Sequence, residues 1–231
     1  MSKIKTYYRL AKPGIVYGNV LVAAAGFLYA ARGSVSWPLF TATMFGLACV
    51  IASACVFNNY LDIDIDAKMA RTKKRALVSG EVSTTYALAY STVLGLTGGA
   101  LLLFCATLPA FGVALAGWVI YVCAYTPLKR VTPHTLWVGA VAGATPPVVG
   151  YVAVTGMLDI TCLWLFLFLF VWQVPHFLGI AYYRFDEYSA AGLPLLISKR
   201  PSAKGKWWGR IVFYLSLVVL LAWCGALMLH R

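Results

Sequence analysis

Long apolar runs alternate with short polar segments along the whole chain of 231 residues. Within each run the apolar positions are continuous and do not alternate with polar ones, which favours helices over strands. Each run is close to the ~20 residues that a helix needs to cross the hydrocarbon core of a bilayer. The seven predicted spans are 14–31, 38–60, 83–105, 110–128, 134–154, 161–183 and 208–229. The pattern predicts an all-α, polytopic transmembrane helix bundle that forms one domain over residues 1–231.

Lysine and arginine fall almost entirely on one side of this predicted bundle. With the N-terminus in the cytoplasm, seventeen Lys and Arg lie in cytoplasmic segments, and only Arg32 and Arg231 lie outside. Cytoplasmic loops of membrane proteins carry such an excess. The first apolar run lacks a small-residue cleavage site, and no Arg- and Ser-rich presequence precedes it. We therefore expect a multi-pass protein of the bacterial inner membrane, with the N-terminus and both acidic segments on the cytoplasmic side.

The composition excludes an ordinary water-soluble domain, because 61% of the residues are hydrophobic and only 11% are charged. Soluble domains carry about a quarter charged residues. The net charge of +12 follows from the topology, with a share available for anionic lipid, so we expect a lipid bilayer and no nucleic acid as partner. All six cysteines lie in apolar runs and none forms a C-x-x-C pair, which predicts neither a disulfide framework nor a cysteine metal site.

One stretch, NNYLDIDIDAKMARTKKRALVSG at 58–80, concentrates charge within this apolar background. If the second span continues as a helix, Asn58, Asp62 and Asp66 are four residues apart and stack along one face, while Asp64 points elsewhere. Two carboxylates and an amide oxygen are ligands that suit Mg²⁺. The alternative is a solvated helix end whose acids pair with nearby Lys and Arg. We favour a functional site, because ionisable groups at membrane spans are costly and usually functional.

Basic residues follow the acidic row within one or two turns. Arginine suits bidentate contacts with phosphate and lysine suits point-charge contacts, although some of these cations serve topology alone. They are Lys68, Arg71, Lys73, Lys74 and Arg75. Carboxylates and a diphosphate repel each other unless a metal lies between them. Acids beside cations therefore predict a metal–diphosphate site.

A second acidic segment follows the sixth span, in AYYRFDEYSAAGLPLL. Its acids are Asp186 and Glu187. Tyr183 and His176 lie four and eleven residues before Glu187, so the three share one helix face. Arg184 is three residues before Glu187, and a purely structural ion pair between them is the alternative interpretation.

Polar groups inside the predicted spans are few. His176 has three interpretations, of which a hydrogen-bonded core residue is favoured over a porphyrin contact or an iron ligand. Asn19 lies seven residues after Lys12 and so on nearly the same helix face. Pro146 and Pro147 break the fifth span, and irregular backbone at membrane depth is tolerated where it lines a cavity. We therefore expect room for a large apolar substrate.

These stretches resemble the UbiA superfamily of intramembrane prenyltransferases. The Asn-x-x-x-Asp-x-x-x-Asp row marks the superfamily. The RTKKR, WQVPHF and YRFDEYSAAGLP runs resemble its protoheme IX farnesyltransferase (heme O synthase) branch. The similar segments run from about residue 11 to about 197: AKPGIVYGNVL, ACVFNNYLDIDIDAKMARTKKRALVSG, AYTPLKR, GAVAGATPPVVGYVAVTG and WQVPHFLGIAYYRFDEYSAAGLPLL.

The resemblance implies roles for particular residues. Asn58, Asp62 and Asp66 match the first metal motif, and Asp186 and Glu187 match the second acidic region, which makes these five the implied Mg²⁺ ligands. Of them, Asn58, Asp62, Asp66 and Glu187 are the implied catalytic residues. The candidates for binding diphosphate are Lys73, Arg75, Lys129, Arg130 and Arg184. Further candidates for substrate binding are Tyr183, His176 and Asn19. Tyr183 stands where the superfamily often has an Asp four residues before the second acid.

The resemblance also implies a reaction and its partners. Mg²⁺ would assist ionisation of farnesyl diphosphate with departure of the diphosphate. The vinyl group of heme b would attack the allylic carbon, and water would add to the resulting cation, with loss of a proton, to complete the hydroxyethylfarnesyl group of heme O. Heme A synthase or terminal oxidase assembly factors are implied protein partners. Family members usually have nine spans, so the chain is expected to be short at its C-terminus.

Two other functions remain open from the sequence. The first is a prenyltransferase of the same superfamily that acts on an aromatic quinone precursor. The second is a cation transporter that uses the Asp row as an ion path. Transporters tend to place such acids near the bilayer midplane, whereas these acids cluster at one face beside cations.

Overall fold

The computed structural model describes residues 3–197 and 199–230. Arg231, one of the two cations predicted outside the cytoplasm, lies outside the described residues. Within the described ranges every regular element is helical, which confirms the all-α prediction. The α-helices are α1 (Lys3–Leu10), α2 (Pro13–Ala31), α3 (Trp37–Leu61), α4 (Ile63–Lys68), α5 (Thr84–Cys105), α6 (Leu108–Val119), α7 (Thr126–Leu128), α8 (Thr135–Gly143), α9 (Thr145–Thr155), α10 (Ile160–Tyr183), α11 (Phe185–Ala190) and α12 (Ala203–Leu229).

Seven helical segments of the described chain are long and apolar enough to cross a membrane, as the sequence predicts. Five are the single helices α2, α3, α5, α10 and α12. The fourth span joins α6 to α7 through a π-helical turn, Ile120–Tyr125, and the fifth joins α8 to α9. Six of the spans begin and end within two residues of the predicted limits.

The last span begins five residues earlier than predicted. The Ser202 side chain accepts a hydrogen bond from the Gly205 N–H (3.2 Å) and so caps α12 ahead of the apolar run. Capping satisfies a free backbone donor of the first turn. The helix therefore includes a charged first turn with Lys204 and Lys206, which hydropathy alone does not register.

Small residues bring the spans into backbone contact. A Cβ added at Gly26 of α2 would collide with the carbonyl of Pro147, and one added at Gly150 of α9 with the carbonyl of Ala23. Because lipid gives no hydrophobic drive between helices, small residues that allow close packing are typical of such interfaces. This pairing of α2 with α9 places the broken fifth span deep inside the bundle.

Two interruptions in the helices shape the site. The fifth span breaks at Ala144, and Pro146 lies in the first turn of α9. Backbone N–H groups of a first turn make no hydrogen bond within the helix, so the N–H that proline lacks is not needed there. The second span breaks at Asp62 (φ −101°, ψ 8°) between α3 and α4. Backbone hydrogen bonds still run from Asp62 N–H to Asn58 C=O (3.0 Å) and from Asp66 N–H to Asp62 C=O (2.8 Å). The predicted spacing of four residues therefore survives the break.

Candidate active site

A cavity of about 350 Å³, here called the polar cavity, contains the acidic row. Asn58, Asp62 and Asp66 all line it, and each is at least 97% buried. Asp64 points away from it, as predicted, with a side chain that is 60% exposed. The row is thus a buried site rather than a solvated helix end.

Each buried member of the row is paired with a cation, from a distant segment for Asn58 and Asp62 and from nine residues further along the chain for Asp66. Lys129 donates to Asp62 Oδ2 and Arg75 donates to Asp66 Oδ2. Lys12 donates to Asn58 Oδ1, and the Asn58 amide donates to Thr126 Oγ1 (3.1 Å). The predicted candidates Arg75 and Lys129 therefore meet the acids at the polar cavity.

One oxygen of this row stays unsatisfied. Asp62 Oδ1 is buried without a hydrogen-bond partner, and Arg130 Nη2 is 3.8 Å away from it. A buried carboxylate oxygen without a partner is costly unless a ligand supplies one. The described residues contain no group of three or more His, Cys, Asp or Glu side chains placed to hold a metal ion by themselves. Two carboxylates and an amide suit Mg²⁺, which keeps waters and substrate phosphates as its other ligands.

The polar cavity carries a net positive charge. Its lining includes the four cations Lys12, Arg71, Arg75 and Lys129 but only the two carboxylates of Asp62 and Asp66. Burial lowers the pKa of the Lys12 ammonium to about 8, and the nearby Arg75 and Lys129 act in the same direction. Burial likewise lowers the pKa of Lys129. Crowded, desolvated cations of this kind favour a multiply charged anion.

A second, larger cavity of about 610 Å³, here called the apolar cavity, adjoins the first. Ile15, Tyr121, Tyr125 and Phe177 line both cavities and form the junction between them. Tyr121 and Tyr125 stack with ring centroids 5.3 Å apart on the π-helical turn. The break beside Pro146 opens onto the apolar cavity, where the sequence predicted room for an apolar substrate.

Two predicted substrate-binding residues lie on the apolar cavity. The Asn19 amide donates to the Ile15 carbonyl of its own helix (2.8 Å). His176 Nδ1 is 2.8 Å from Ser216 Oγ, and its ring stacks on Trp172. His176 is therefore hydrogen-bonded, as the favoured interpretation expected, and it also faces the cavity.

The remaining candidates lie outside both cavities. Lys73 is exposed. Arg130 makes a bidentate contact with Asp64 (2.7 and 2.8 Å), and its guanidinium lowers the pKa of that carboxyl to about 2. Tyr183 and Arg184 lie in a third pocket, where the Arg184 Nε donates to the Tyr183 hydroxyl (3.1 Å).

The second acidic segment lines the polar cavity through Tyr188 and Leu193, but its two acids do not face that cavity. Asp186 is half exposed and binds Lys206 and Arg200, the latter at 3.0 Å. Glu187 binds Arg184 at 2.9 Å and Arg71 at 3.4 Å. The structure thus contains the predicted Arg184–Glu187 ion pair, and a metal role for either acid stays a prediction.

The side chains of Lys12, Tyr121 and Tyr125 face the site but were not among the predicted candidates. Lys12 has a left-handed backbone (φ 53°) directly before Pro13, and this turn directs its side chain to Asn58. A lysine before a proline at the start of an apolar run was the available signal. Tyr121 and Tyr125 are four residues apart in the fourth span, a spacing that indicates a shared face.

The UbiA prenyltransferase family model matches residues 19–230. The chain belongs to this family. That membership confirms the resemblance carried by the acidic row, and it agrees with a solved structure, the UbiA homolog from Archaeoglobus fulgidus bound to DMAPP and Mg²⁺. The superposition has a TM-score of 0.74 at 15% identity and covers 94% of this chain and 86% of that one. At this identity the likeness shows the fold alone.

Curated relatives within the family confirm the resemblance to the heme branch. Protoheme IX farnesyltransferase 2 of Chromobacterium violaceum is 52% identical over 204 residues, which cover 88% of this chain and 66% of the relative. Protoheme IX farnesyltransferase of Sodalis glossinidius is 46% identical over 198 residues, which cover 85% and 67%. The chain spans about two thirds of the length of these relatives.

Proposed function

We propose that this UbiA-family chain transfers the farnesyl group of farnesyl diphosphate to the vinyl group of heme b, giving heme O. The observation that carries the proposal is the pair of adjoining cavities, one cationic and one apolar, that meet at Tyr121 and Tyr125. An allylic diphosphate has the same division into a charged head and an apolar tail. The named relatives support heme b as the acceptor.

The polar cavity would hold the diphosphate with Mg²⁺. Asn58, Asp62 and Asp66 would hold the metal, and the unsatisfied Asp62 Oδ1 supports this fit. Bound Mg²⁺ supplies positive charge that offsets the charge growing on a departing diphosphate. Lys12, Arg75 and Lys129 face the same space and would donate to phosphate oxygens, since charge-assisted hydrogen bonds are the strong ones.

The junction would shield the allylic carbon. Tyr121 and Tyr125 present aromatic rings between the two cavities, and aromatic faces attract positive charge. The apolar walls beyond them exclude bulk water from the reactive carbon. The bond between the allylic carbon and the diphosphate would thus break at the polar cavity, and the allylic carbon would then bond to the vinyl group of the acceptor in the apolar cavity.

The orientation in the bacterial inner membrane belongs to the same proposal. The polar cavity lies at the end of the bundle where the cation-rich segments around Lys12, Arg75 and Lys129 meet. Those segments were assigned to the cytoplasm by the excess of Lys and Arg. Heme A synthase or oxidase assembly factors would then contact the chain to receive its product, heme O.

A product assay with competing acceptors tests the proposal. Membranes carrying the chain would receive farnesyl diphosphate and Mg²⁺ with either heme b or 4-hydroxybenzoate, and extracts would be analysed by mass spectrometry. We expect farnesylated heme with the first acceptor and no prenylated product with the second. Farnesylated hydroxybenzoate without farnesylated heme would instead establish the quinone-precursor alternative.

A further inference from the structure

A third pocket, here called the arginine pocket, opens beside the two cavities of the proposed reaction. It measures about 300 Å³ and is lined by Tyr183, Arg184, Glu187, Arg210, Phe213 and Tyr214. The first three come from the end of α10 and from α11, and the others come from α12. Polar groups dominate its lining, in contrast with the apolar cavity.

Close helix packing builds the arginine pocket. A Cβ added at Gly179 of α10 would lie 2.9 Å from the Gly209 carbonyl of α12, and one at Gly209 would lie 2.9 Å from the Gly179 carbonyl. Only glycine allows two backbones to approach this closely. The contact brings Arg210 and Phe213 of α12 beside Tyr183 and Arg184, which are four and five residues beyond Gly179.

The arginine pocket has more cationic than acidic side chains in its lining. Glu187 is engaged by both Arg184 (2.9 Å) and Arg71 (3.4 Å), so its charge is offset on two sides. Among the described residues, no carboxylate lies within 4.0 Å of the Arg210 guanidinium. The lining thus has two arginines and one acid, and because Glu187 is already bound by Arg184 and by Arg71 of the polar cavity, the Arg210 charge is available to an anionic ligand.

The arginine pocket lies next to the apolar cavity, and one aromatic side chain borders both. Phe213 lines both spaces. Its ring centroid is 4.9 Å from that of His176 and 5.7 Å from that of Tyr183. A ligand with a flat apolar body and carboxylates on one edge could therefore lie along Phe213 with its acids at the arginines.

We propose that the arginine pocket binds the two propionates of the acceptor heme while the macrocycle extends past Phe213 and His176 into the apolar cavity. This assignment rests on the proposed function and adds a place for the acceptor. The vinyl groups of heme b lie on the edge of the macrocycle away from the propionates. Anchoring the acids at Arg184 and Arg210 turns that edge toward the Tyr121–Tyr125 junction, where the allylic carbon would lie. Arg184 thereby becomes an acceptor ligand, whereas the sequence suggested a diphosphate ligand.

Arg210→Gln combined with an esterified acceptor tests the assignment. Purified chain would be titrated with ferric heme b and with its dimethyl ester, which lacks the two negative charges, while Soret absorbance is followed. We expect wild type to prefer heme b by about tenfold or more, the size of a charge-assisted hydrogen bond. Arg210→Gln should lose most of this preference, with Arg184 keeping the remainder, and Arg210→Lys should restore part of it. The KM for farnesyl diphosphate should stay unchanged in all variants.

Lys204→Gln provides the matched control, because Lys204 is another exposed cation of α12 outside this pocket. It should keep the full preference for heme b. An unchanged preference in Arg210→Gln, or an absent preference in wild type, would overturn the assignment. Failure of the proposed function looks different: wild type would form no farnesylated heme even though it binds heme b in preference to the ester.

Discussion

The carboxylates that follow α3 and those in α11 are the same kinds of side chain in different surroundings. Asp62 and Asp66 are at least 97% buried, and Asp62 has an oxygen without a partner. The Asp186 side chain is 50% exposed, and both it and Glu187 pair with cations of neighbouring segments. A buried, incompletely satisfied acid needs a ligand, whereas an exposed and paired acid does not. The difference supports a ligand-binding role for Asp62 and Asp66, and a structural role for Asp186 and Glu187 in holding neighbouring cations.

Asp62→Asn should cause the largest effect. Removing this charge withdraws an anionic metal ligand, and we expect kcat to fall about a thousandfold, the scale on which lost transition-state electrostatics act. Product formation measured by mass spectrometry checks this, with the membrane-inserted amount of each variant as control. Full activity of Asp62→Asn would contradict a metal site at Asn58, Asp62 and Asp66.

Glu187→Gln should cause an intermediate effect. The change frees Arg184 and Arg71 but leaves the buried acids of the polar cavity and their cation partners in place, so we expect kcat/KM for the acceptor to fall about fivefold, as for a partly exposed ion pair. Steady-state kinetics on both substrates would measure it. A loss as large as that of Asp62→Asn would instead support Glu187 as a metal ligand, the role implied by the resemblance.

Asp64→Asn should change activity less than twofold. Asp64 belongs to the acidic row in sequence but faces away from the polar cavity and binds Arg130. Because Arg130 lowers its pKa to about 2, the carboxylate stays ionised at every pH used for assay, and it adds no pH dependence above about pH 4. Rate profiles of wild type and variant should therefore superimpose. A loss of activity much larger than twofold would contradict this and would mean that Asp64 contributes to the function of Asp62 and Asp66.

Asp186→Asn should cause the smallest effect. Its partners Arg200 and Lys206 are on the surface, and exposed pairs contribute only ~0–1 kcal/mol. We expect unchanged turnover and a thermal midpoint within about 2 °C of wild type. Fluorescence-monitored unfolding in detergent would test this. Loss of Mg²⁺-dependent activity would instead support Asp186 as a metal ligand, the role implied by the resemblance.

Much of the fold could be predicted because membrane spans depend on local composition. Apolar length and charge placement predicted all seven spans, and the four-residue spacing placed Asn58, Asp62 and Asp66 on one cavity. The early start of α12 was missed because a serine cap, and not hydropathy, decides where that helix begins.

The partners within the site could not be predicted in the same way. Lys129 meets Asp62 only because the segment after the fourth span converges on the segment after the second, and spacing within one segment does not encode that convergence. Arg75 lies nine residues after Asp66 in the same segment, and the irregular turns that follow α4 bring the two together. Contacts between spans also explain Arg184, which the α10–α12 contact places with Glu187 in a pocket separate from the polar cavity. The reach of Lys12 depends on one left-handed residue.

The central claim is that Asn58, Asp62 and Asp66 hold Mg²⁺ together with the diphosphate. Binding of farnesyl thiolodiphosphate, a slowly reacting analogue, to the purified chain by calorimetry tests it most directly. The account predicts binding in the presence of Mg²⁺ that is lost on adding EDTA and is absent in Asp62→Asn at either condition. Equal binding with and without Mg²⁺, or full Mg²⁺-dependent binding by Asp62→Asn, would contradict it.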